Sequence, residues 1–263
     1  MFLTDFTTIV ALDEKHFYEF FWSFSTWEKM KPEIVNAPMI IIYDSDQLDF
    51  ENYKSMAEKH IKFIDHLKSK KNITFIPFGS NPSFYSSQRE KMLTSFFVAT
   101  KLVKTKWYLK IDVDALASNN DKGWLHKELF DGDPVLISSP WGYSKPPDTF
   151  DVLDAWGNSK QLLSNFPELK LPYEKGSDLV KSNRIISFVY FGLTDWTNQM
   201  ASMCLQDGAF KLPVPSQDTF MWYCAERRKE RYKRIKYKKF GFEHWNSFST
   251  IKSRSLEICG DSK

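Results

Sequence analysis

Glycine is scarce and dispersed in this chain. The first of its ten glycines is Gly79, and no two stand closer than Gly123 and Gly132. That spacing excludes both a GxGxxG dinucleotide fingerprint and a GxxxxGKS/T phosphate loop. A phosphorylated ligand would have to be held by charges instead, which points to a metal ion. Cysteine is equally sparse. Cys204, Cys224 and Cys259 form no CxxC pair, which argues against a disulfide framework or a zinc site and for reduced thiols in a cytosol-like compartment. The first residues, Met1-Phe2-Leu3-Thr4-Asp5, lack the basic and apolar regions of a signal peptide. The longest apolar runs, such as Met39–Tyr43, are far short of a membrane span. The expected location is cytoplasmic. An excess of one sign of charge is nearly absent: the net charge is +3, so the whole-molecule field does not mark a nucleic-acid binder.

What is present suits a globular enzyme. The 263 residues fit one α/β domain or two closely fused lobes. Aromatics make up 16%, enough to fill a core and still leave rings to stack on sugars or bases. Continuous apolar segments at Thr7–Leu12, Pro38–Tyr43, Asn72–Pro77 and Trp107–Ile111 read as buried strands. Between them, Glu14–Lys29, Asn52–Ser69 and Gln88–Val103 have helical spacing; in the last, Met92, Phe96, Ala99 and Val103 mark the inward stripe. Strands alternating with helices of this length predict βαβ units and a mostly parallel sheet flanked by helices. The alternation breaks after about residue 115. Strands are expected at Pro134–Ser139 and Arg184–Phe191, a helix from Gln217 to about Arg231, then a basic strand-like segment and a polar tail. The reading is a nucleotide-type lobe over residues 1–115 joined to a more irregular acceptor-side lobe and tail over 116–263 of the same domain.

Parallel strands end at one shared edge, where ligands bind. Here those ends carry Asp13, Asp44, Asp46, Asp112 and Asp114, and the helix returning to the fourth strand places Arg89 at the same edge. An arginine in a first helical turn opposes the helix dipole, so helix stability does not explain it. It suits either a diphosphate or an ion pair. The DxD spacing occurs three times, at Asp44-Ser45-Asp46, Asp112-Val113-Asp114 and Asp131-Gly132-Asp133. Only the second closes a strand with period-two alternation, which would put Tyr108, Lys110, Asp112 and Asp114 on one face. Adjacent carboxylates repel, and a divalent cation is the usual reason to tolerate them.

The strand–helix order together with "WYLKIDVDA" resembles the GT-A glycosyltransferases over roughly residues 7–115, and the remainder more loosely. The resemblance implies a GT-A-like α/β fold with an acceptor-side lobe. It also implies transfer of a sugar from a nucleoside diphosphate sugar, UDP- or GDP-linked, with Mn²⁺ or Mg²⁺. By analogy Asp112 and Asp114 bind ribose or metal, Ala11, Asp13 and Asp44 lie along base and ribose, and Arg89 lies near the phosphates. "VPSQDTFMWY" would place Asp218 as the base of an inverting reaction, although an aspartate after Ser216 is also good capping chemistry. "GFEHWNS" offers His244 as a third metal ligand or as a packed residue. Trp141 and Tyr143 would form a sugar shelf and Gly192 would let the backbone approach the donor sugar, with ordinary packing the competing reading of each. The expected acceptor is a glycan, protein or lipid-linked hydroxyl.

Arg227–Lys239 holds nine basic residues and one acid, Glu230. It is a solvated face or a peripheral contact with an anionic membrane, with nucleic acid disfavoured. Three rivals to transfer remain: a catalytically idle carbohydrate- or nucleotide-binding protein of the same fold, a nucleotidyltransferase that forms sugar nucleotides, and a nucleic-acid binder acting through Arg227–Lys239. Leu12-Asp13-Glu14-Lys15-His16 lacks the glycine loop that the nucleotidyltransferase would carry after its first strand.

Overall fold

The computed structural model describes residues 1–79, 88–139, 188–206, 221, 224–225, 228–235, 237–245 and 247–260, without the side chains of 55, 88–90, 203–206 and 237–238. In chain order the strands are β1 (Phe6–Leu12), β2 (Met39–Asp44), β3 (Ile73–Phe78), β4 (Trp107–Ile111), β5 (Ala115–Ala117), β6 (Leu136–Ser138), β7 (Val189–Leu193), β8 (Tyr232–Arg234) and β9 (Phe242–His244). The helices are α1 (Phe17–Met30), α2 (Pro32–Asn36), α3 (Glu58–Ser69), α4 (Gln88–Leu102), α5 (Thr194–Gln206), α6 (Tyr237–Phe240) and α7 (Phe248–Cys259). Seven strands make one sheet in the order β3-β2-β1-β4-β7-β6-β8. The first four are mutually parallel, and β7 runs against β4 and β6. A separate ribbon pairs β5 with β9, setting Ala115 opposite His244.

The central strands are apolar throughout because both faces are covered. Val10, Leu12, Ile41, Leu109 and Ile111 meet the rings of Phe17, Phe20, Phe24 and Trp27 from α1. Each buried phenylalanine there contributes on the order of 1.5–3 kcal/mol. On the other face Ile9, Ile40, Ile42 and Tyr108 meet Leu93, Phe96 and Phe97 of α4. Met92 does not join that stripe: it is half exposed and belongs to the cleft described below.

Several elements differ from the sequence expectation. Helix α3 begins at Glu58, six residues late, because Met56 and Ala57 are extended. The expected polar tail is helix α7, which buries Ile251 and packs on α1; Ser255 donates to the Trp22 carbonyl at 2.8 Å. It stops at Gly260, whose φ of 74° suits glycine. Helix α5 was not foreseen; it buries Trp196, Met200 and Ala201. Gly192 lies away from the strand-end edge. It pairs with Tyr108 near the start of β4, and a Cβ there would overlap the Tyr108 ring and hydroxyl. Its role is to seat that tyrosine, so the expected approach to a donor sugar is corrected.

Candidate active site

The parallel strands end in a cleft of about 460 Å³. Ala11 and Asp13 enter it from β1, Asp44 from β2, Phe78 from β3, Asp112 and Asp114 from beyond β4, and Lys91, Met92 and Ser95 from α4. Four of the five strand-end aspartates singled out in the sequence, Asp13, Asp44, Asp112 and Asp114, therefore share one cavity, whereas Asp46 is not part of its lining. Arg89 is in the first turn of α4, but its side chain lies outside the described residues, as do Trp141, Tyr143 and Asp218. The described cation that α4 brings to this edge is Lys91, buried with Asp44 in an ion pair. Breaking a pair so buried by removing one partner leaves an uncompensated charge.

Asp13 shapes the entry to α1. Its Oδ1 accepts the His16 backbone N–H at 2.9 Å and contacts the imidazole Nδ1 at 2.6 Å. Burial pushes the Asp13 carboxyl up, but these contacts outweigh it and leave it below the ordinary value. Against its own desolvation, the same bond holds His16 above an ordinary imidazole.

The Asp112–Asp114 segment is not a continued strand. β4 stops at Ile111, the Asp112 amide is taken by the Phe188 carbonyl at 2.8 Å, and Ala115 N–H turns back onto Asp112 O at 3.1 Å. The two carboxylates both line the cleft but take different partners. Asp112 pairs with Lys110, whereas Asp114 Oδ2 meets His244 Nε2 at 3.0 Å. Pairing of Ala115 with His244 brings the imidazole to this turn, and the Phe188 ring stacks on it at 5.0 Å. Burial would lower the His244 pKa, but the hydrogen bond to Asp114 and the charges of Asp114 and Asp112 raise it overall. Helix α1 clamps the far side of the turn. Trp27 Nε1 donates to Ala115 O at 2.6 Å, and Thr26 Oγ1 accepts the Ala117 N–H at 2.9 Å.

Three buried carboxylate oxygens, Asp114 Oδ1, Glu19 Oε2 and Glu33 Oε1, have no hydrogen-bond partner among the described residues, and of these Glu33 Oε1 is ion-paired with Lys122 at 2.5 Å. Sequence reasoning missed Glu19, which looks like an ordinary helix residue until α1 folds against the site. Burial raises its pKa, and the neighbouring Asp114 adds to that against the opposing His16. A carboxyl with a raised folded pKa contributes stability below its ordinary value of 4.5, and that contribution is lost as pH rises through the folded value. Glu19→Gln is accordingly expected to raise the unfolding midpoint at pH 7 and leave it little changed at pH 4. Denaturant titrations at both pH values read this directly.

Among the described residues no three His, Cys, Asp or Glu side chains converge as a ready cation site. The expected trio of Asp112, Asp114 and His244 is thus not assembled, because Asp112 turns to Lys110. Asp114 and His244 are the pair that suits a divalent cation: a carboxylate with one unsatisfied oxygen beside an imidazole nitrogen. The basic segment is partly neutralised locally, since Arg228 reaches Glu230 at 3.1 Å. No described helix is long and apolar enough to cross a membrane.

No family model matches the sequence, and neither does any curated protein. Solved structures do match. The mannosyltransferase Ktr4p of S. cerevisiae is similar with a TM-score of 0.58 at 10% identity, over 91% of this chain and 70% of that one. Core-mannan synthase A of Aspergillus fumigatus, solved in its Mn/GDP form, gives 0.53 at 10% identity, over 97% and 84%. The glycosyltransferase GlyE of Streptococcus pneumoniae gives 0.52 at 8% identity, over 98% of this chain and 63% of GlyE, so the chain spans just under two thirds of that protein. Likeness at such low identity establishes the fold: this is a GT-A-type α/β architecture with a mostly parallel sheet.

Proposed function

We propose that the protein transfers a sugar from a nucleoside diphosphate sugar to a hydroxyl acceptor with the help of a divalent cation. The observation that carries this reading is the unsatisfied Asp114 oxygen beside His244 at the strand-end cleft. Asp114 and His244 would hold the cation, Mn²⁺ or Mg²⁺, and Asp112 would join them on leaving Lys110. Bound there, the cation would neutralise charge on the departing diphosphate as a Lewis acid. Ala11, Asp13 and Asp44 would line the nucleoside, with Asp13 fixed by His16 and Asp44 by Lys91. Arg89 would face the phosphates. Asp218 is assigned as the base that takes the proton of the acceptor hydroxyl, giving inversion. Trp141 and Tyr143 would line the acceptor.

The test is a panel of UDP- and GDP-sugars with Mn²⁺, following nucleoside diphosphate release and binding. At least one donor is expected to bind and turn over only when the metal is present. Absence of metal-dependent binding or release across the panel would overturn the proposal. A nucleotidyltransferase would instead consume a nucleoside triphosphate and release pyrophosphate, which the same assay separates.

A further inference from the structure

A diphosphate entering the strand-end cleft must meet positive charge, and among the described residues three basic side chains line that cavity: Lys15, His16 and Lys91. Lys91 is committed, buried in its ion pair with Asp44. The other two stand side by side where β1 gives way to α1. Positive charge at a helix N-terminus opposes the helix dipole, so helix stability does not explain them. Asp13 offsets His16, but no ion pair of Lys15 is found among the described residues. The Lys15 side chain is exposed, yet near enough for its charge to act on the carboxyls of Asp13 and Glu19.

His16 is held through its backbone and one ring nitrogen. Asp13 Oδ1 accepts the His16 backbone N–H at 2.9 Å and contacts Nδ1 at 2.6 Å. That bond favours the imidazolium, in which both ring nitrogens donate. With Nδ1 committed to Asp13, the Nε2–H is left. Glu19 Oε2 lies 3.9 Å from it, beyond hydrogen-bond reach, and burial favours the neutral form of Glu19. The carboxylates of the cleft are otherwise matched one by one. Asp44 pairs with Lys91, Asp13 with His16 and Asp112 with Lys110, while Asp114 with His244 is the pair that suits a cation. Among the described residues this leaves the Lys15 ammonium and the second N–H of His16. Charged donors on a wall shared with Asp114 suit the oxygens of a diphosphate bridged to that cation.

We propose that Lys15 and His16 bind the diphosphate of the donor and stabilise its charge as it departs. The inference rests on the glycosyl-transfer reading for the word donor, but diphosphate binding itself can be measured without turnover. It adds two residues to Arg89. It also gives the glycine-free segment Leu12-Asp13-Glu14-Lys15-His16 a phosphate-binding role, through side chains where a glycine loop would use backbone N–H groups.

The experiment is isothermal titration calorimetry on the full chain in Mg²⁺, with UDP, GDP and inorganic pyrophosphate as probes. Uridine and guanosine are followed alongside by saturation-transfer NMR. The wild-type protein is expected to bind pyrophosphate and at least one nucleoside diphosphate. The Lys15→Met/His16→Gln double variant should weaken both at least about tenfold, the scale of lost hydrogen bonds from charged groups. Contact with the matching nucleoside should be unchanged. Lys15→Arg keeps the charge and should keep most of the affinity. Lys15→Met alone serves if the double variant does not keep the wild-type unfolding midpoint. Diphosphate affinity undiminished in the variants, or an equal loss of nucleoside and diphosphate, overturns the assignment. So does a wild-type protein that binds none of the three probes. Pyrophosphate binding that the variants lose, beside no binding of UDP or GDP, would uphold the phosphate site and count against the transfer reading.

Discussion

Asp114→Asn is expected to lower metal-dependent nucleoside diphosphate release by roughly 10²–10³-fold, the scale of removing one group that stabilises developing charge. Asparagine keeps the shape and one carbonyl oxygen, so contact with His244 at 3.0 Å need not be lost sterically. What disappears is the negative charge, and with it the reason for a cation to settle beside the imidazole. The unfolding midpoint should hold or rise, because the variant no longer buries a carboxylate oxygen that has no hydrogen-bond partner among the described residues. Turnover measured on one preparation therefore falls without a fall in the unfolding midpoint. Wild-type release by the asparagine variant would remove Asp114 from the chemistry.

The second large effect concerns stability. Trp27→Ala should destabilise the protein by about 3–5 kcal/mol, the range for deleting a buried large aromatic. Trp27 is fully buried between Phe20, Phe24 and the sheet, and its indole N–H satisfies the Ala115 carbonyl. Removing it opens a cavity and strands a backbone acceptor at once. Trp27→Phe separates the two contributions. It restores much of the packing but not the hydrogen bond, so it should recover part of the stability and still loosen the turn that carries Asp114. Denaturant unfolding gives the first quantity; the metal concentration needed for half-maximal release gives the second. A loss below about 1 kcal/mol for the alanine variant would show that the core closes around the gap.

The fold was legible where one element determines its own pattern. Val10, Ile41 and Ile111 sit in unbroken apolar runs, and such runs are what a sheet covered on both faces requires. The spacing of Phe17, Phe20, Phe24 and Trp27 likewise announced α1. Helix α7 did not announce itself. Its polar residues outnumber Ile251 and its partners, and only docking against α1 makes it a helix rather than a tail. At the site, the shared edge of parallel strands located Asp13, Asp44, Asp112 and Asp114, since that rule needs only topology. Lys91, Glu19 and the clamp from Trp27 depend on which face of a helix meets which strand end. No local signal in the sequence carries that information. Strand β4 ends at Ile111 as expected, but its alternation does not carry on through Val113 to Asp114 for a related reason: the turn there is set by the Phe188 carbonyl, distant in the chain. Gly192 was misassigned because a glycine in a strand marks close approach without saying of what; here it is the Tyr108 ring.

The β5–β9 ribbon joins residues separated by almost half the chain. Loop closure over such a distance is entropically late compared with docking the neighbouring strands β1, β2 and β3. A refolding molecule can thus complete most of its parallel sheet while the imidazole of His244 is still far from Asp114. Regain of ligand binding should lag behind regain of secondary structure, and chains caught in that interval would be compact yet inert.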